Sequence, residues 1–320
     1  MGLFFAPGLR SSISQGDYMK QLAIGIDIGG TNTKIALVNT SGKIEAFESF
    51  PTKGSGNFES FSDTVFETSQ TLLESINKEL NDIRGVGVGA PNGNFKNGSI
   101  INPPNLKHWG TVNLTEPFKQ RFGCDVHLDN DANVAALGEG KWGKAKELKD
   151  FVVVTLGTGV GTGIIINKQL VRGGNGLAGE GGHISIDFQG RQCGCGGSGH
   201  LEMYGSATGI EITAMEHLGR DISFSEIYEG YKHGGKEFIE VIEISADYLG
   251  KGLATMATLL CPEAFILAGG VSTLGNEFAI KVEKSLNKYV FPTFQGDIKV
   301  ELSEVSQGEG AVLGAAALVL

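Results

Sequence analysis

Two apolar–polar patterns in this chain are near copies of one another. AIGIDIGGTNTKIALVN at 23–39 is matched by FVVVTLGTGVGTGIIIN at 151–167, 128 positions later and without a gap. In each copy an apolar run meets a Gly/Thr turn, a second apolar run follows, and the segment closes on Asn39 or Asn167 before a short turn. Short apolar runs bounded by such turns predict buried strands. The pair therefore predicts a duplicated strand–turn–strand unit and two similar half-domains. Each would present a loop rich in backbone N–H groups to one shared ligand. Glycines free to take positive φ would let an anion approach the main chain.

The rest of the pattern is mixed α/β. Phe58, Phe61, Val65, Leu72, Leu73, Ile76 and Leu80 recur at helical spacing and predict one long amphipathic helix. A strand follows at 83–89, then a polar stretch rich in Gly, Pro and Asn from 90 to 110, long enough to suggest a functional loop. A strand at 126–129 leads into a helix starting near Asp131. The second half reads as a Gly-rich loop at 173–199, a long helix at 236–260 and a strand ending in Ala268-Gly269-Gly270. A helix, a strand at 298–304 and an Ala-rich helix at 309–320 complete it. The expected organisation is an irregular extension over 1–19, a smaller domain of 20–132 plus 308–320, and a larger domain over 133–307. The final helix would cross back to the smaller domain as a clasp.

Composition narrows the function. Glycine supplies 49 of 320 residues with no low-complexity run to absorb it, so the excess belongs in turns and loops. A net charge of −10 argues against nucleic acid or an anionic membrane as the main partner. No apolar stretch approaches the roughly 20 residues of a membrane span. The first eighteen residues lack a basic leader, and MGLFFA lacks the hydroxyl that a myristoylation signal carries at its sixth position. Four cysteines, two of them in a C-x-C, fit a reducing cytoplasm better than a disulfide scaffold.

Three regions carry candidate chemistry. Asp27-Ile28-Gly29-Gly30-Thr31-Asn32 puts a carboxylate at a strand end beside glycines and polar side chains, a set able to hold Mg²⁺ through water and wrap phosphate oxygens. A plain hairpin turn would use the same residues. Gly157-Thr158-Gly159-Val160-Gly161 is its counterpart; a dinucleotide fingerprint would need a helix after the glycines, and a strand follows instead. Gly269 and Gly270, at a strand-to-helix junction, form a candidate third contact at the adenosine end. Asp129-Asn130-Asp131 packs two carboxylates and an amide into three residues, more than one helix cap requires, and one of them could act as a base. Finally, His183, Cys193, Cys195 and His200 fall in an eighteen-residue, glycine-hinged span that could close a tetrahedral, structural zinc site. Free thiols and unrelated histidines are the bland alternative.

Taken together, IDIGGTNTK, TLGTGVGTG, LDNDAN, GEGGH and CGCGGSGHLE resemble the ROK family of bacterial sugar kinases, and the resemblance runs over residues 20–320. It implies a two-domain, actin-like ATPase (ribonuclease H-like) α/β fold with duplicated halves and a cleft between them. It also implies ATP-dependent phosphorylation of a hexose 6-hydroxyl with Mg²⁺, and a homodimer in the cytoplasm. By resemblance Asp131 is the catalytic base, and Asn105, Asn130, Asp131, Glu180, His183 and Glu202 bind sugar hydroxyls. Asp27, Gly29, Gly30, Thr31, Asn32, Lys34, Gly157, Thr158, Gly159, Gly269 and Gly270 hold ATP. Zn²⁺ falls to His183, Cys193 and Cys195, with His200 standing where most members carry a third cysteine. Asp129 is given no proton to move, so its replacement by Asn is expected to be much milder than that of Asp131. Asn105-Leu-x-x-Trp109 looks like the glucose-preferring members, while an N-acetylhexosamine kinase would share nearly every motif. The family's repressors carry a DNA-binding domain ahead of this core. With about twenty residues before the first strand and an acidic chain, the enzyme is expected over a non-catalytic sugar sensor.

Overall fold

The structure, a computed structural model, describes residues 20–103, 106–305 and 308–320. The chain forms two compact units. The first comprises the described residues up to Lys146, together with Gln169–Ala178 and Gly308–Leu320; the second comprises Glu147–Lys168 and Gly179–Gln307. The expected extension at 1–19 lies outside the described residues.

In the first unit, β1 (Leu22–Ile28), β2 (Asn32–Asn39) and β3 (Ile44–Pro51) form an antiparallel meander. Helix α1 (Phe58–Ser75) leads to β4 (Ile83–Ala90), which pairs parallel with β1. The predicted helix over 58–80 ends at Ser75 because Asn77 turns left-handed, with φ 56°, and Lys78 N–H closes on Leu73 O at 2.9 Å. The stretch expected to be irregular holds a small sheet of β5 (Gly93–Asn94), β6 (Ser99–Ile101) and β7 (Thr111–Asn113). Helix α2 (Thr115–Phe122), β8 (Asp125–Asn130) and α3 (Asp131–Trp142) follow, and the main sheet runs β3-β2-β1-β4-β8. This unit continues past 132 through α3, which packs on the sheet and on the final helix.

The second unit repeats the plan. Strands β9 (Phe151–Leu156) and β10 (Val160–Ile166) form the hairpin, the two-residue β11 (Gln169–Leu170) edges the same sheet beside β10, and the stretch up to Ala178 groups with the first unit. Beyond it come α4 (Glu202–Gly205), α5 (Ala207–Leu218), α6 (Phe224–Lys232), α7 (Lys236–Leu260), β12 (Ala264–Ala268), α8 (Asn276–Tyr289) and β13 (Lys299–Leu302). β10 pairs antiparallel with β9, β9 parallel with β12, and β12 parallel with β13, the order of the first sheet over again. The gapless repeat does not survive as register. The first hairpin pairs Ile28 with Thr33, the second Leu156 with Val160, so the second turn is one residue shorter. Asp27 faces Lys34 across the first hairpin; Thr155 faces Gly161 at the same place in the second. The titrating pair exists in one copy only.

Helix α9 (Gly310–Ala317) lies on β1 and β4 of the first unit and against α3. It comes so close that a Cβ on Gly25 would overlap Val312 O, and one on Gly87 would overlap Ala315 O. Small residues on both surfaces let helix backbone rest on sheet backbone, which explains the Ala/Gly composition of both. Among the described residues no helix is long and apolar enough to cross a membrane.

Candidate active site

The first candidate phosphate loop spans the β1–β2 turn. Gly29 N–H donates to Asn32 O at 3.0 Å, and Thr52, just beyond β3, reinforces the turn, its hydroxyl bonding Gly29 O at 2.8 Å and its N–H bonding Thr31 O at 2.8 Å. Thr31 and Asn32 are exposed at the tip. None of Gly29, Gly30, Gly157 or Gly159 takes positive φ, contrary to expectation. Close packing explains two of them instead: a Cβ on Gly29 would stand 2.7 Å from Asn32 O, and one on Gly159 would overlap the Glu202 carboxylate.

Three acidic residues gather where the parallel strands of the first unit end. Asp27 on β1, Gly89 on β4 and Asp129 on β8 share one register row, and Asp131 opens α3 immediately beyond. The carboxyl ends of parallel strands are where ligands bind in open α/β sheets. Burial pushes the Asp27 carboxyl up to about 6, opposed by Lys34 and assisted by the charge of Asp131. Asn130 caps α3, its side chain accepting Ala132 N–H at 2.9 Å. That cap leaves the Asp131 carboxylate, which also meets Ala132 N–H at 2.8 Å, facing outward. Asp131 is open to water yet surrounded by enough protein to raise its pKa, partly offset by its backbone hydrogen bonds.

Asp129 proves different. Fully buried, it accepts from Arg172 Nε at 2.7 Å, Asn130 N–H at 2.9 Å and the Asn133 amide at 2.7 Å. Asp129→Asn would strand a guanidinium that is itself only 14% exposed, a structural cost separate from any proton transfer. Arg172 was not foreseen from sequence; its one signal was an arginine opening the glycine-rich stretch.

In the second unit the loop Gly157–Val160 is clamped from below. Gly157 O accepts Ala207 N–H at 2.8 Å, and Glu202 accepts Val160 N–H at 3.1 Å. Thr162, one strand position on, takes Gly181 N–H at 3.0 Å and donates to Gly179 O at 2.5 Å, which fixes the Glu180–His183 turn. Gly182 packs where a Cβ would overlap Val160 O. Gly269, at φ 89°, ends β12 and opens a 3₁₀ turn, Gly270–Leu274, ahead of α8.

The ligand atoms of His183, Cys193, Cys195 and His200 lie within 4.8 Å of one another. His183 Nδ1 is 3.3 Å from His200 Nδ1, Cys195 Sγ is 3.2 Å from His200 Nδ1, and Cys193 Sγ is 3.9 Å from His183 Nδ1. A tetrahedron with Zn–N of about 2.05 Å and Zn–S of about 2.3 Å has N···N edges near ~3.3 Å and N···S edges near ~3.6 Å. These three donor separations lie within about 0.4 Å of those edges, so the cluster is of a kind that could close on zinc. His183 keeps Nε2 free of the cluster, 3.9 Å from Glu180 Oε2. Arg191, also unforeseen, ties the loop down through Met203 O at 2.6 Å, Gly209 O at 3.0 Å and the Glu216 carboxylate at 2.6 Å. Glu202 meets Cys193 Sγ at 3.8 Å, so one carboxylate touches both the cluster and the Gly157–Val160 loop. Asn105 lies outside the described residues.

The glucokinase of Halalkalibacterium halodurans is 31% identical over 307 residues, covering 91% of this chain and 93% of its own. The xylose repressor of Caldicellulosiruptor bescii is 31% identical over 316 residues, covering 93% of this chain and 77% of its own. A ROK family glucokinase from Streptomyces griseus, solved with glucose and AMPPNP, matches with a TM-score of 0.79 at 30% identity, over 93% of this chain and 99% of its own. The ROK family profile matches residues 23–320. With duplicated sheets, paired glycine loops and a Cys/His cluster in place, the chain belongs to the ROK family and has its two-domain, actin-like ATPase fold.

Proposed function

We propose that this chain is an ATP-dependent hexose kinase that moves the γ-phosphoryl group to a sugar 6-hydroxyl, with glucose as the preferred acceptor. The observation that carries the reading is the placement of Asp131, solvent-reached at the first turn of α3, beside a capping Asn130 and in electrostatic contact with Asp27. Phosphoryl transfer is catalysed mainly by positioning and charge neutralisation. Asp131 orients the hydroxyl and takes its proton late; a raised pKa brings it closer to the working pH of a general base.

The other roles follow the same reading. Asp27 serves Mg²⁺ through water, while Gly29, Gly30, Thr31, Asn32 and Lys34 meet phosphate oxygens. Gly157, Thr158 and Gly159 do so from the second unit, and Gly269 and Gly270 floor the adenosine. Asn105, Asn130, Glu180, His183 and Glu202 receive the sugar hydroxyls. His183, Cys193, Cys195 and His200 would hold zinc, which with four protein ligands is structural and fixes the His183 ring so that Nε2 can donate. The protein is assigned to the cytoplasm, where ATP and free sugar meet, and to a homodimer on family resemblance.

A coupled ADP-release assay across glucose, mannose, fructose, N-acetylglucosamine and N-acetylmannosamine tests this. Sugar-dependent ADP formation, fastest with glucose, is expected. Preference for an acetylated sugar would replace glucose alone. Silence with all five would replace the enzyme by a sugar sensor, the role carried by repressors of the family.

A further inference from the structure

Asp129 precedes Asn130 and Asp131 in sequence but is 0% exposed, and its two oxygens divide their partners. Oδ1 accepts from Asn130 N–H and from the Asn133 amide, both part of the corner that carries Asp131. Oδ2 accepts from Arg172 Nε, which belongs to the 169–178 excursion. Arg172 lies 3.9 Å over the Phe95 ring, and Phe95 stacks on His127 of β8 at 5.8 Å. The excursion is also fastened by the Asn94 amide to Asn175 O at 3.1 Å and by Lys96 to Gly174 O. From Ala178 the chain runs directly into Gly179-Glu180.

Burying this pair is a poor way to gain stability, since an apolar pair of equal volume commonly does as well or better. What it supplies is a fixed relation between two segments. We propose that Asp129 and Arg172 are a positioning pair for the phosphoryl acceptor, in which one carboxylate fixes the Asp131 corner against the 169–178 segment of the same unit. The pair acts through Asp131; the inference therefore rests on the kinase reading.

The test is steady-state kinetics of Arg172→Lys, Arg172→Gln, Asp129→Asn and the double variant Asp129→Asn/Arg172→Gln, each checked as folded at the assay temperature. Val282→Ala, in the α8 core of the second unit, is the control for lost stability alone. Wild type must first show sugar-dependent ADP release; if it does not, the kinase reading has failed rather than the pair. Misplacement of reacting groups by about 1 Å can cost on the order of a hundredfold. Arg172→Gln and Asp129→Asn should each lose roughly 30- to 100-fold in kcat/KM for sugar. The KM for ATP should stay within about twofold, and the double variant should be no worse than the poorer single. Arg172→Lys, which keeps the charge, should recover part of the loss. If the single losses multiply in the double variant, or if Val282→Ala shows the same sugar-selective loss, the pair is structural and the proposal is overturned.

Discussion

Asp27 is a carboxylate held where its charged form is disfavoured, with a pKa near 6 against 3.8 in the unfolded chain. The folded state therefore binds its proton more tightly. That contribution to stability is complete below pH 3.8 and is lost as pH climbs through 6. Asp27→Asn should accordingly be more stable than wild type at pH 7.5 without ligand, by roughly 1–3 kcal/mol, with the gap closing below pH 4. Urea titrations at the two pH values measure it, and a gap that does not depend on pH would count against the assignment. The same variant should lose activity, a stability gained at the expense of function. Asp131→Asn keeps its size but cannot accept a proton. Its kcat should fall by about 10²–10⁴-fold while glucose affinity, read by calorimetry, changes less than about tenfold.

The elements around these residues were legible to different depths. The repeated strand–turn–strand units, α7 and the Cys/His span could be read directly, because buried strands, amphipathic helices and metal ligands each leave a local pattern. The shorter second turn could not, since a one-residue difference in a glycine loop costs no visible break in an apolar repeat. Arg172 and Arg191 were equally hidden: each matters through partners more than ten residues away, and sequence spacing carries no trace of such contacts. Asp129 was visible but its partner was not, because burial and a contact 43 residues away set its surroundings. Two element-level outcomes follow. Cys195→Ser should lower zinc below one equivalent per chain by elemental analysis and raise sugar KM, whereas full zinc in His200→Ala would exclude that histidine as a ligand. Chelation should raise hydrogen exchange over 183–205 and, through Glu202, over 157–160, while leaving 20–146 unchanged. Exchange confined to 183–205 would show that Glu202 does not transmit the loss of metal.

At the scale of the whole molecule, the first unit is assembled from three separated stretches, and its sheet rests on a helix drawn from residues 310–317. Gly87→Ala should destabilise the first unit by about 3 kcal/mol, because the added methyl meets Ala315 O with no flexible side chain to yield. Denaturant unfolding followed at Trp109 and Trp142, both in that unit, reads the effect, and a loss under about 1 kcal/mol would mean α9 can shift.

The placement of α9 also sets an order of events during synthesis. The second unit draws on nothing beyond Gln307, whereas the sheet that begins at Leu22 waits for a helix encoded nearly three hundred codons later. At ordinary elongation rates the interval between the emergence of Lys146 and of Gly310 is on the order of ten to thirty seconds. For that time the surface around Gly25 and Gly87 stands bare of its partner and open to chaperones or to other nascent chains. The half of the protein translated first is thus the half finished last.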